Sequence, residues 1–161
     1  MFDIAINPDQ PAAEFYADLT SSAAALVDGE PDAIANMANV AALVWQYTPG
    51  LNWAGFYRVI NGELVLGPFQ GKPACIRIAI GAGVCGTAAA TGKVQRIADV
   101  HAFPGHIACD VDSRSELVIP VVKNGSVIAV FDLDSPLPDH FRAEDETGMA
   151  KLIRTIANNL G

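Results

Sequence analysis

Residues 101–116 read HAFPGHIACDVDSRSE and put two histidines, a cysteine, two aspartates and a glutamate around a Pro-Gly pair. Such a run could bind a metal, supply a thiol nucleophile, or be a polar turn. A metal site would draw on His101, His106, Cys109 and a carboxylate. Its spacing, H-x4-H-x2-C, is not a recurrent zinc pattern, and the chain contains no CxxC pair, so no metal is expected. Cys109 then reads as a nucleophile, its thiolate favoured by a nearby imidazolium or by backbone N–H groups, or else as a small apolar residue tucked under the loop. His101 and His106 read as hydrogen-bonding residues that order the loop, with His106 the nearer to the thiol.

Two further cysteines complete the count of three. Cys85 lies in GAGVCGTAAA, at the start of a short helix whose dipole would lower a thiol pKa; the other reading is a small residue packed beside glycines. Cys75 falls in an alternating stretch and by itself reads as core. The carboxylates are more telling. In VIAVFDLD, Asp132 and Asp134 bracket Leu133, and strand alternation puts them on one face, where like charges raise one of the two pKa values. Solvated acids at a strand end are the other reading.

Glu116 opens the partner strand, and its face depends on the turn at Asn124-Gly125. A two-residue turn pairs Val122 with Val127 and leaves Glu116 opposite Leu133, away from the aspartates. A three-residue turn with Gly125 left-handed pairs Val122 with Ser126 and sets Glu116 opposite Asp132; a bulge near Pro120 does the same. One of these last two is expected, giving a three-acid wall.

The elements that must position these groups follow from periodicity. Helices are expected over residues 11 to about 26 and, capped by Asp32, over 33 to about 47. Strands 53–60 and 63–66 flank Asn61-Gly62, a strong hairpin signal. A strand over 75–80, an Ala-rich helix ending at Gly92 and a short strand over 94–97 come next. After the reactive loop, strands 117–122 and 126–133 form a second hairpin, and 143–160 form an amphipathic helix. This order implies an α+β fold with a mostly antiparallel sheet of about six strands. The N- and C-terminal helices would pack on one face, leaving a ligand pocket among the loops on the other.

The bulk composition narrows the function. The 161 residues suit one domain over 1–161 with a real core. A net charge of −8 disfavours nucleic acid and anionic membranes as partners and suits a small zwitterion or cation. No apolar run nears the ~18 residues of a membrane span. No basic segment precedes an apolar one at the start, so a cytoplasmic location is expected.

The runs GPFQGKPACIRIAIGAGVCGTA, DVHAFPGHIACD, SELVIP and VIAVFDLDS, in that order, resemble the free methionine-R-sulfoxide reductases, which are GAF-domain enzymes. The resemblance covers the chain from about Trp53 onward. It implies that Cys109 is the catalytic thiol, Cys75 the main resolving thiol and Cys85 a third redox cysteine. It also implies that Glu116, Asp132 and Asp134 hold the substrate's oxygen and ammonium, that Trp53 packs on its methyl end, and that backbone N–H groups near Ile107 and Ala108 meet its carboxylate. Thioredoxin as reductant, a homodimer and no organic cofactor are implied as well. The alternatives are a non-catalytic GAF small-molecule sensor and a peroxide-responsive thiol switch.

Overall fold

The computed structural model describes residues 4–105 and 111–161. Helix α1 spans Ala12–Val27 and α2 spans Ala33–Tyr47. Asp32 caps α2 as expected, its side chain accepting a hydrogen bond from the Ala35 amide at 2.8 Å. Strands β1 (Trp53–Ile60) and β2 (Glu63–Gly71) form the first hairpin, followed by β3 (Arg77–Ala79), α3 (Gly83–Thr91) and β4 (Gln95–Ile97). A 3-10 turn at Val100–Ala102 precedes β5 (Ser115–Lys123), β6 (Ser126–Ser135) and α4 (Ala143–Ile156), which runs into a second 3-10 turn at Ala157–Asn159. Helix α3 stops where Gly92 turns left-handed at φ 63°, its amide donating to Ala88.

The six strands form one antiparallel sheet in the order β3-β2-β1-β6-β5-β4. Alternation divides the side chains between two cores. On one face Ala54, Phe56, Leu117, Ile119, Phe131 and Leu133 pack against α1, α2 and α4. On the other, Trp53, Tyr57, Val118 and Val130 meet Cys85 and Ala88 of α3, Ile78 of β3 and the partly buried Cys75. The α+β architecture, with the terminal helices on one face and Cys75 and Cys85 on the other, is as expected. Helices α1 and α4 cross so closely that a Cβ on Gly148 would lie 2.1 Å from the Tyr16 ring.

Three expectations need correction. Strand β2 runs on to Gly71 rather than ending at Leu66. Cys75 precedes β3 instead of lying within it; the alternation there spans a loop that Tyr57 holds by hydrogen bonding to the Cys75 carbonyl. The β5–β6 turn is the two-residue form, with Asn124 and Gly125 at φ 51° and 79° and Lys123 paired with Ser126. The register then slips between Val122↔Val127 and Val121↔Ala129, so Ile128 of β6 is the extra residue. The expected bulge beside Pro120 is therefore present, opposite Val121 and Val122, with its extra residue on β6. It restores the parity that the turn alone would have lost, and Glu116 comes to lie opposite Asp134 instead of Asp132.

Candidate active site

Two rows of cross-strand neighbours build the floor of the site. Glu116 of β5, Asp134 of β6 and Trp53 of β1 form one; Val118, Asp132 and Gly55 form the next. The sequence-predicted acids are thus brought together on the face away from the terminal helices. Cys85 reaches them from α3, its Sγ 3.9 Å from Glu116 Oε1. Cys85, Glu116 and Asp132 each present a donor atom within 4.8 Å of the other two, and they are only 4%, 6% and 6% exposed.

Such burial governs their protonation. Glu116 is raised well above the ordinary carboxylate range, first by desolvation and then by the charges of Asp132 and Asp134. Asp132 is also raised by burial, against hydrogen bonds from Cys85 and Glu116 that pull it down. One of its oxygens, Oδ1, is buried without a hydrogen-bond partner among the described residues. The Cys85 thiol is pushed up by burial and then by the neighbouring acids, so the helix N-terminus does not activate it. The Tyr57 phenol is raised for the same reasons. The cluster is therefore a reservoir of protons beside an apolar wall.

That wall is aromatic. Trp53 stacks between Tyr57 and Phe69, with ring centroids 5.8 and 5.3 Å away. Gly55 makes the stack possible: a Cβ there would fall 2.6 Å from the Trp53 ring and 2.3 Å from Phe69 Cβ. Trp53 Nε1–H donates to the Lys72 carbonyl at 3.1 Å, and the Tyr57 hydroxyl donates to the Cys75 carbonyl at 3.0 Å. The Lys72 ammonium pairs with Asp112 at 2.5 Å. Residues 72–75 are thereby strapped across the aromatic wall. The cavity left beneath, lined by Trp53, Tyr57, Lys72, Pro73, Ala74, Asp132 and Asp134, is about 10 Å³, room for about one water.

Sequence reasoning did not single out Tyr57, Gly55 or Phe69. The signal was present in W-x-G-x-Y, which strand alternation puts on one face with Trp53. It also missed the serines that seat the far end of the reactive loop. Ser113 accepts from Asn52 Nδ2 at 3.1 Å, Ser115 Oγ donates to Leu137 at 2.7 Å, and the Arg114 amide donates to the Ser135 carbonyl at 2.7 Å. His101 is exposed and paired with Asp99 at 2.9 Å, which orders the 3-10 turn. His106, Ile107, Ala108 and Cys109 lie outside the described residues.

Residues 24–160 match the GAF domain family. The chain is 52% identical over 143 residues to the free methionine-R-sulfoxide reductase of Escherichia coli, covering 89% of this chain and 87% of the relative. It is 41% identical over 151 residues to the enzyme of the same name from Saccharomyces cerevisiae, covering 89% and 84%. Its fold is similar to that of free methionine-R-sulfoxide reductase from Neisseria meningitidis solved in complex with its substrate, with a TM-score of 0.94 and 38% identity over 99% of this chain and 96% of that one.

Proposed function

The chain belongs to the GAF-domain family of free methionine-R-sulfoxide reductases, a family of oxidoreductases, and we propose that it reduces free L-methionine-R-sulfoxide to L-methionine. The observation that carries this reading is the buried acid cluster facing the Trp53 stack, with Cys75 strapped above it. A sulfoxide oxygen becomes a leaving group only when protonated or strongly hydrogen-bonded, and a carboxyl kept neutral by burial can donate that proton. Glu116 and Asp132 share this role, and Asp134 takes the substrate ammonium. Trp53 meets the methyl end, and backbone N–H groups near Ile107 and Ala108 receive the carboxylate.

Cys109 attacks the sulfur. The S–O oxygen passes to the thiol, so methionine leaves and Cys109 becomes a sulfenic acid. Cys75 condenses with it to a disulfide and releases water, and thioredoxin restores both thiols by exchange. Cys85 is a third thiol of the site, held protonated first by burial and then by its acidic neighbours. The reaction requires neither metal nor organic cofactor. An amino acid exceeds the cavity of about 10 Å³, so residues 72–75 lift from Trp53 and Tyr57 to admit it, which couples substrate binding to Cys75. We further infer a single domain over residues 1–161 that acts as a cytoplasmic homodimer.

The test is turnover of free R, free S and peptide-bound methionine sulfoxide, coupled to NADPH oxidation through thioredoxin and its reductase. Free R alone should turn over, and Cys109→Ser should abolish it. Turnover of the peptide-bound form or of free S, with none of free R, would overturn the assignment.

A further inference from the structure

The cluster of Cys85, Glu116 and Asp132 offers a chemistry that sulfoxide reduction does not use. Its donors come from three elements, α3, β5 and β6, and converge as one sulfur and two carboxylates within 4.8 Å of one another. Ligands of a tetrahedral zinc stand about 2.0–2.3 Å from the ion and hence roughly 3.3–3.8 Å apart. Small side-chain adjustments bring the three donors to that separation.

A second observation points to a ligand. Asp132 is 6% exposed, yet its Oδ1 has no hydrogen-bond partner among the described residues. A buried acceptor left unpaired is costly, and a cation would satisfy it. The adjoining cavity, about 10 Å³ and lined by Trp53, Tyr57, residues 72–74, Asp132 and Asp134, has room for a water-sized guest but for no amino acid.

We propose that Cys85, Glu116 and Asp132 form a binding site for one thiophilic divalent cation of the zinc class, formed while residues 72–75 close the pocket. Zinc displaces the Cys85 proton to solvent as it binds, and the thiolate so formed sets the selectivity, since sulfur favours zinc over magnesium or calcium. The ion sits on the acids that would otherwise meet the substrate, so zinc and substrate exclude one another. Cation binding itself stands independently of the sulfoxide reading, and a binding measurement tests it without turnover.

The experiment uses reduced Cys75→Ser/Cys109→Ser protein, in which Cys85 is the one remaining thiol. Zinc is titrated against a chromophoric chelator, and cobalt is added separately to record thiolate-to-metal charge-transfer absorption. One zinc per chain and a cobalt–thiolate band are expected. Adding Asp132→Asn should weaken zinc binding by roughly tenfold or more, and adding Cys85→Ser should also remove the band. Circular dichroism reports whether each variant folds; if Asp132→Asn does not, Cys85→Ser and the cobalt band decide. Absence of stoichiometric zinc in the double variant, or zinc binding indifferent to Cys85→Ser, overturns the proposal.

Discussion

Gly55→Ala is a substitution of one methyl group in the middle of β1, and the structure predicts that it is poorly tolerated. The new Cβ would lie 2.3 Å from Phe69 Cβ, 2.8 Å from Phe69 Cα and 2.6 Å from the Trp53 ring, where ordinary contact begins near 3.4 Å. Phe69 must therefore retreat by about 1 Å (3.4 less 2.3), and because one of the clashing atoms is backbone, β2 must move with it. Overpacking of this kind costs about 1–3 kcal/mol. For a chain of this size that corresponds to a fall in Tm of roughly 2–12 °C. The same displacement tilts the Trp53 ring and strains its 3.1 Å bond to the Lys72 carbonyl, so the wall that meets the substrate's methyl end is misplaced. Calorimetry should show the lowered Tm, and steady-state kinetics should show a KM for free methionine-R-sulfoxide raised several-fold. A variant that melts within about a degree of wild type with an unchanged KM would refute both the packing argument and the place given to Trp53.

Glu116→Gln tests the proton reservoir. Because burial and the two aspartates raise the Glu116 pKa, the folded state holds its proton more tightly than the unfolded one. The stability this group contributes is full below the ordinary carboxylate range and is lost as pH rises through the raised value. The wild-type Tm should therefore fall more steeply with rising pH than that of Glu116→Gln, and the variant should be the more stable protein at alkaline pH while its turnover drops. Parallel pH–Tm slopes would sink this. Tyr57→Phe deletes the 3.0 Å bond to the Cys75 carbonyl and should cost about 1 kcal/mol in denaturant unfolding; no change would mean that this bond does not hold the strap. Asn36→Ala removes the donor shared by the Glu30 and Asn159 carbonyls, at 3.0 and 2.9 Å, and should destabilise by about 1–3 kcal/mol with kcat and KM unaltered, because α2 lies on the other face of the sheet from the acids.

Much of the site is legible in the sequence alone. Strand alternation alone puts Asp132 and Asp134 on one face, because the two-residue period of a strand is local geometry. The same rule places Trp53, Gly55 and Tyr57 together. The hairpins and the Asp32 and Gly92 helix boundaries follow equally from turn chemistry and capping within a few residues. The order of hairpins and helices was enough to put the terminal helices on one face and Cys75 and α3 on the other.

What remained undetermined depended on atoms far apart in the chain. Glu116 joins the acids only because a bulge at Ile128 adds one residue to β6, and nothing local to Glu116 records it. A helix N-terminus suggested a low pKa for Cys85, but acids 31 and 47 positions further along press on it through a dry interior, and burial reverses the expected direction. Cys75 read as core in a strand, whereas Tyr57, eighteen residues earlier, holds it in a loop over the pocket. Sequence determined which residue types could do chemistry and which strand face carried them, since those are matters of composition and short-range period. Tertiary structure alone decided protonation, register and closure, because desolvation and repulsion depend on distances that only the packed fold sets.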